Sequence, residues 1–130
     1  MVGLVFVSHS IKLVEGLLEL SQEMLQSNIT ILLAAGTSDG RIGTDVEKIQ
    51  EQIKLAQSGD GVVVLADIGS GVMSSQMAID FLDDETKKMV KLADAPLVEG
   101  GIAAAVQASI GSSFEEVIKA AEDARNYSKA

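Results

Sequence analysis

Apolar residues fall into four short runs, separated by segments in which apolar positions recur every three or four residues. The first three runs are nearly continuous, which is typical of strands covered on both faces. The four predicted strands are Val2–Ser8, Ile29–Ala35, Gly61–Ile68 and Met89–Ala93. The segments between them predict amphipathic helices, with apolar stripes at Leu13, Leu17, Leu20 and Met24, at Val46, Ile49, Ile53 and Ala56, and at Met73, Met77 and Phe81. We expect the methionines of the third stripe to face the core.

Two short patterns indicate where helices begin. The sequence TDVE at residues 44–47 is a capping-box pattern, in which the Thr44 hydroxyl caps the second helix. The sequence SFEE at residues 113–116 repeats the pattern near the end of the chain. The segment from Val98 is therefore predicted to form two helices with a break near Gly111.

Strands that alternate with helices predict an α/β fold. The predicted sheet has four mainly parallel strands in the order 2-1-3-4, with helices on both faces and a helical C-terminal tail. This order leaves a crevice beyond the carboxyl ends of strands 1 and 3, where such folds bind ligands. Residues 1–130 contain no repeat or linker, so they are predicted to form a single domain.

Composition excludes several classes of function. Nineteen acidic and ten basic residues give a net charge of −9, which argues against nucleic acid or an anionic membrane as a partner. The absence of cysteine and the single histidine exclude disulfides, thiolate metal sites and multi-histidine zinc sites. No apolar run approaches the roughly 18 residues of a membrane span, and the first run lacks the basic leader of a signal peptide. We therefore expect a cytoplasmic protein.

The single histidine lies where the first predicted strand ends, between two serines. His9 is thus placed on one side of the expected crevice. Asp67 lies at the end of the third strand on the other side, and the GSG turn at residues 69–71 comes directly after it. A glycine-rich loop, residues 36–44, follows the second strand.

These groups suit a histidine that carries a phosphoryl group. A neutral imidazole is nucleophilic near neutral pH, and a carboxylate on one ring nitrogen leaves the other free to attack phosphorus. Asp67 is the candidate for orienting His9. Backbone amides and hydroxyls can then hold the phosphoryl oxygens without a metal or other cofactor. The candidates for that role are Ser70, Gly71, Thr44 and Gly43.

Structural interpretations of the same residues stay open. Asp67 is also suited to cap a helix that begins at Ser70, and capping alone would explain Thr44. The GSG turn at residues 69–71 is common between strands and helices. Only the shared position of these residues at the carboxyl edge of the sheet favours a functional site.

Four motifs, in this order along the chain, carry a family resemblance: VSHS at 7–10, IGTD at 42–45, DIGSG at 67–71 and APLVEG at 95–100. Together they resemble the phosphotransferase subunit of phosphoenolpyruvate-dependent dihydroxyacetone kinase, a relative of mannose-family IIA domains. The resemblance covers nearly the whole chain. It implies that His9 is phosphorylated, that Asp67 orients it and that Ser70 lies at the phosphoryl site.

The resemblance also implies a relay and its partners. Phosphoenolpyruvate phosphorylates enzyme I, which phosphorylates the carrier HPr, and HPr passes the phosphoryl group to His9. His9 then phosphorylates ADP on a separate nucleotide-binding subunit, and the ATP formed there phosphorylates dihydroxyacetone. Some family members are fused to HPr-like domains, whereas this sequence ends at Ala130, so we expect it to use free HPr. The family also suggests a homodimer.

Three other functions compete with this interpretation. A mannose-type sugar IIA domain uses the same chemistry, but the helical tail after Ser113 and the lack of a transporter domain argue against it. A response-regulator receiver needs an acidic pair after the first strand to hold magnesium, and residues 8–10 are Ser-His-Ser. A nucleotide-binding module is poorly supported, because the turn at 69–71 lacks both G-x-G-x-x-G and the P-loop lysine.

Overall fold

The computed structural model describes residues 1–130, and its centre is a four-stranded sheet in the order β2-β1-β3-β4. The strands are β1 (Gly3–Ser8), β2 (Ile31–Ala35), β3 (Val62–Ala66) and β4 (Val90–Leu92). All three neighbouring pairs are parallel, so the α/β class and the strand order predicted from the sequence are confirmed. The strands are one to three residues shorter at their ends than predicted.

Helices join the strands and form the C-terminal part of the chain. They are α1 (Ile11–Gln22), α2 (Val46–Ala56), α3 (Ser70–Asp80), α4 (Asp84–Lys87), α5 (Leu97–Ser109) and α6 (Phe114–Asp123), followed by a 3₁₀ turn, Ala124–Asn126. The predicted break near Gly111 is confirmed, and this glycine has a φ of +81°. Helix α4 and the 3₁₀ turn were not predicted, because a single turn is too short to show apolar periodicity.

The sheet is buried on both faces, which explains the continuous apolar runs. Alternate residues of β1 point to opposite sides, so Leu4 and Phe6 pack with α1, α5 and α6. Val5 and Val7 pack on the other side with α2 and α3. All four side chains are fully buried. None of the helices has the length and apolar composition that a membrane-spanning segment requires.

The helix caps differ in part from the prediction. The capping box of α6 is confirmed, because the Ser113 side chain accepts from Glu116 N–H and the Glu116 side chain accepts from Ser113 N–H. Thr44 as the cap of α2 is wrong. The cap is Asp45, whose carboxylate accepts hydrogen bonds from the N–H groups of residues 47 and 48. An ionised carboxylate is a stronger acceptor than a hydroxyl, so the aspartate next to Thr44 takes this position.

The expectation that Met73 and Met77 face the core is also wrong. Both side chains are exposed, at 70% and 48%, and Phe81 on the same stripe is 71% exposed. Helix α3 packs through its opposite, small-residue face, where Ser75 and Ala78 are fully buried. The Ser75 hydroxyl donates to the Gly71 carbonyl oxygen at 2.7 Å, so its burial leaves no unpaired polar group. Leu13 and Leu20 in α1, and Met24 just after it, are likewise exposed.

Close packing of β1 against α2 gives a prediction about Gly3. A Cβ at Gly3 would lie 2.4 Å from the Ala56 carbonyl oxygen, so Gly3→Ala must displace backbone. We expect a loss of about 1–3 kcal/mol in the free energy of unfolding, measured by urea denaturation.

Gly16→Ala is the matched control for this measurement. Gly16 lies within α1 with nothing within 4 Å of its Cβ position, so the substitution should stabilise the protein by up to about 1 kcal/mol. Equal stability of the Gly3→Ala variant and the unsubstituted protein would contradict the packing described.

Candidate functional site

His9 and Asp67 meet because they directly follow the two central strands of the sheet. The register pairs Val7 with Ala66, which brings the ends of β1 and β3 side by side. The Asp67 N–H donates to the Val7 carbonyl oxygen at 3.1 Å, so the ladder continues one residue beyond the strand. The predicted pair of imidazole and carboxylate is therefore brought together by sheet geometry.

Four donors converge on the Asp67 carboxylate. One oxygen, Oδ2, accepts from the backbone N–H of His9 and from the hydroxyl of Ser8, both at 2.9 Å. The other oxygen, Oδ1, accepts from the backbone N–H of Ile68 at 2.7 Å. The Nδ1 atom of the His9 ring lies 3.0 Å from both oxygens. The carboxylate is held from its own strand and from the neighbouring strand.

These hydrogen bonds determine the charge of Asp67. Burial alone would raise the pKa of its carboxyl, since water is partly excluded. The backbone N–H and the ring N–H of His9, the Ile68 N–H and the Ser8 hydroxyl all stabilise the ionised form, and together they lower the pKa below its ordinary value. Asp67 is therefore an anion at neutral pH.

The anion fixes the tautomer of His9. An ionised carboxylate only accepts hydrogen bonds, so the hydrogen of the neutral ring is on Nδ1. The lone pair is then on Nε2, which lies 2.6 Å from the Ser70 Oγ and accepts its hydrogen. The His9 side chain is 28% exposed and the Asp67 side chain 14%. The geometry leaves a nucleophilic nitrogen at the surface.

The start of α3 shapes the same site. Its cap residue is Gly69, with a φ of +50° and no side-chain cap, so the alternative in which Asp67 caps this helix is wrong. A Cβ at position 71 would lie 2.3 Å from Asp67 Oδ1. Gly71 is therefore the residue that lets the helix approach the carboxylate so closely.

The other predicted phosphoryl-binding groups lie near His9 with their hydrogen bonds already made. The Gly43 N–H donates to the His9 carbonyl oxygen at 3.0 Å, and the Gly71 N–H donates to the Ile68 carbonyl oxygen at 2.9 Å. The Thr44 hydroxyl lies 2.8 Å from the Ser74 hydroxyl. Among the predicted residues, Ser70 is the one whose polar atom is hydrogen-bonded to the reactive nitrogen. Phosphoryl binding by these four residues stays a prediction.

Ser8 is a residue of this site that was not among the candidates predicted from the sequence. It is fully buried, donates to Asp67 and accepts from the Ser10 N–H at 3.0 Å. A polar side chain at the end of an otherwise apolar strand was the available signal. Its hydroxyl connects the carboxylate to the start of α1.

A cleft of about 480 Å³ opens beside His9. It lies between the start of α1 and the loop that follows β2, and its lining includes Lys12, Arg41 and Lys48. No acidic side chain lines it. Nowhere in the chain do three or more His, Cys, Asp or Glu side chains form a group that could hold a metal ion.

Comparison with known families agrees with this geometry. The family model of the fructose IIA component of the phosphotransferase system, EIIA-man, matches residues 3–118. The chain belongs to this family. The resemblance to mannose-family IIA domains inferred from the four motifs is thus confirmed, and residues 3–118 include both His9 and Asp67.

Curated relatives carry more specific names. The phosphoryl donor subunit DhaM of PEP-dependent dihydroxyacetone kinase 2 from Listeria innocua is 38% identical over 119 residues, which are 92% of this chain and 95% of the relative. The DhaM subunits from Klebsiella michiganensis and Escherichia coli are 43% and 44% identical. The alignments cover 100% and 91% of this chain but only 28% and 26% of those longer proteins.

A solved structure has the same architecture. The crystal structure of EF1359, described as a protein of unknown function, superposes with a TM-score of 0.84 at 35% sequence identity. The match covers 99% of this chain and 96% of that one.

The charge of Asp67 predicts how stability depends on pH. Asp67→Asn removes an anion that accepts four hydrogen bonds, so we expect a loss of about 1–3 kcal/mol in the free energy of unfolding at pH 7. Because folding lowers the pKa of Asp67, its contribution is complete above the ordinary carboxyl pKa of about 4. It is lost as the pH falls through the lower folded value, so the stabilities of the two proteins should begin to converge below about pH 4 and become equal only below the folded pKa.

Urea denaturation between pH 2 and pH 7 measures this difference. Asp80→Asn is the control, because Asp80 is exposed and accepts only from the Gln76 side chain. A difference between the Asp67→Asn variant and the unsubstituted protein that stayed constant with pH would contradict the assignment.

Proposed function

We propose that the protein is a phosphohistidine carrier, the phosphoryl donor subunit of a dihydroxyacetone kinase. His9 receives a phosphoryl group from phospho-HPr and passes it to ADP bound on the nucleotide-binding subunit of the kinase. The observation that carries the proposal is the pair of contacts on His9, with Nδ1 on the Asp67 carboxylate and Nε2 at the surface beside Ser70. The names of the relatives from three genera support the choice of kinase.

The chemistry needs one nucleophilic nitrogen and one fixed anion. In the first step the Nε2 lone pair of His9 attacks the phosphorus, and the nitrogen of the donor carrier leaves with the electron pair of the broken N–P bond. The His9 ring keeps its hydrogen on Nδ1 and becomes a cation, which the Asp67 carboxylate stabilises. Ser70 releases Nε2 before the attack, and its hydroxyl then donates to a phosphoryl oxygen.

The second step reverses the first. A β-phosphate oxygen of ADP attacks the phosphorus, the Nε2–P bond breaks, and Nε2 takes back the electron pair. The ring is neutral again with its hydrogen still on Nδ1. No external acid or base is needed, since Asp67 stays ionised throughout.

Several parts of the proposal rest on the family alone. The family suggests that HPr is the donor and that the protein is a homodimer. It also suggests that residues 1–130 act as a single IIA-like phosphocarrier domain. We also expect the step from HPr to His9 to proceed without a metal, with the Ser70 hydroxyl beside Nε2 as the first donor to the phosphoryl oxygens. We expect magnesium to be required only in the later step, on the nucleotide-binding subunit.

A IIA domain of a mannose-type sugar phosphotransferase system is the second candidate. The family model, which is described as a fructose IIA component, favours it. The chemistry at His9 is the same in both functions. They differ in the acceptor, so only an acceptor experiment separates them.

Phosphorylation of His9 at Nε2 is the first expected outcome. Incubation with phosphoenolpyruvate, enzyme I and HPr should label the protein with an acid-labile, base-stable phosphoryl group. The ¹⁵N–³¹P couplings of the labelled protein should assign it to Nε2, because Nδ1 faces Asp67.

His9→Ala should abolish this labelling while leaving the circular dichroism spectrum unchanged, since the residue lies outside the strands and helices. Lys119→Ala is a control on the exposed surface of α6. Undiminished labelling of the His9→Ala variant, or coupling to Nδ1, would contradict the proposed mechanism.

Reconstitution identifies the acceptor. The protein, enzyme I, HPr, phosphoenolpyruvate, dihydroxyacetone and the other two kinase subunits should together form dihydroxyacetone phosphate, and the His9→Ala variant should form none. A parallel reaction replaces the kinase subunits with membranes that contain a mannose-type transporter and its sugar. Transfer only to the sugar would establish the second candidate instead.

A further inference from the structure

The cleft beside His9 concentrates positive charge in an acidic protein. The chain has a net charge of −9 and ten basic residues in all. Three of the ten, Lys12, Arg41 and Lys48, line this one cleft, and no acidic residue does. They come from three different elements, namely α1, the loop after β2, and α2. The fold therefore gathers them from separate parts of the sequence.

The three basic side chains of the cleft have few carboxylate partners. Lys12 makes no salt bridge or side-chain hydrogen bond, and it lies in the exposed first turn of α1. The Lys48 ammonium group donates only to the Ala35 carbonyl oxygen, at 3.4 Å. Arg41 is paired with Asp39 through Nε at 2.8 Å, but both side chains are mostly exposed, at 80% and 55%. Such surface pairs are weak, about 0–1 kcal/mol, and an anion can replace the carboxylate.

The cleft does not include Ser70, the residue hydrogen-bonded to the reactive nitrogen. Ser70 is hydrogen-bonded to Nε2, but neither it nor any other residue of α3 lines the cleft. The volume of about 480 Å³ is within the range of sites for small molecules, about 300–1,000 Å³. His9 thus borders both Ser70 of α3, through Nε2, and the basic cleft.

We propose that this cleft binds the phosphate groups of the nucleoside diphosphate that accepts the phosphoryl group from His9. The inference rests on the proposed function, and it adds a nucleotide contact made by this chain itself. A partner that holds the nucleotide by its base and sugar would insert the diphosphate between Lys12 and Arg41.

The chemistry of the second step explains why cations are needed there. The attacking β-phosphate oxygen and the phosphoryl group on Nε2 are both negatively charged, so their approach is repulsive. Lysine and arginine side chains beside the phosphates reduce this repulsion, and the guanidinium group can donate two hydrogen bonds to one phosphate. The Nε2–P bond breaks as the O–P bond forms, and the new anhydride leaves with the nucleotide. In the step from the donor histidine, one phosphoryl group passes between two imidazole rings and no nucleotide phosphate is present. That step therefore needs these cations less.

The first test uses the protein alone with inorganic pyrophosphate as the probe, followed by amide chemical shifts at constant ionic strength. Pyrophosphate up to about 10 mM, enough to fill a site of millimolar affinity, should shift amides near residues 10–12 and 36–42. The double variant Lys12→Gln/Arg41→Gln should bind at least tenfold more weakly. Lys119→Gln, which removes an equivalent charge from α6, should change the affinity less than twofold. Absence of shifts at the cleft, or equal affinity in the double variant, would overturn the proposal.

The second test separates acceptor from donor phosphate by measuring the two transfer steps independently. In the double variant, transfer from phosphorylated His9 to the ADP-loaded acceptor subunit should slow at least tenfold. Transfer from phospho-HPr to His9 should change less than twofold. Equal slowing of both steps would overturn the proposal, since the cations would then serve the phosphoryl group on His9 itself. If the unsubstituted protein took no label at all, the proposed function would fail, and the pyrophosphate titration would still decide whether the cleft binds phosphate.

Discussion

The carboxylate of Asp67 accepts hydrogen bonds from Ser8 and His9 after β1 and from Ile68 after β3. This anion therefore joins the ends of the two strands just beyond their backbone ladder. The same bonds keep the aspartate ionised, and its charge in turn fixes the hydrogen of the imidazole on Nδ1. Strand geometry, carboxylate charge and the free nitrogen on His9 are therefore one connected arrangement. Removal of the carboxylate would disturb all three.

Much of this arrangement was predictable because it follows from where the strands lie in the sequence and from their order in the sheet. Continuous apolar runs indicated a sheet buried on both faces, and the strand order placed His9 and Asp67 at the carboxyl ends of adjacent strands. The positions at which the two strands end were enough to predict that the His9 and Asp67 side chains lie close together. The exposed face of α3 was not predictable in this way. A stripe such as Met73 and Met77 marks one side of a helix, but its small-residue side can pack against the sheet instead, as it does here.

Local competition explains the other differences from the sequence predictions. Thr44 and Asp45 both suit a helix cap; the aspartate is the stronger acceptor and caps α2, while the Thr44 hydroxyl is hydrogen-bonded to that of Ser74. Ser8 continues a buried strand, so its link to Asp67 depends on the position of the neighbouring strand. Gly71 was a candidate for holding phosphate, whereas in the fold its missing side chain is what admits the carboxylate. The contacts of Thr44 with Ser74 and of Ser8 with Asp67 join groups whose relative position is set only by tertiary structure.

The position of β1 has a consequence for when the His9–Asp67 pair forms during synthesis of the chain. Of the four strands this one is made first, yet it lies between β2 and β3, so both of its edges stay unpaired until later segments emerge. His9 precedes its carboxylate partner by 58 residues. A ribosome-bound chain therefore carries a free, unoriented imidazole until β3 docks. The newly made protein acquires its oriented nucleophile in the same event that closes the centre of its sheet.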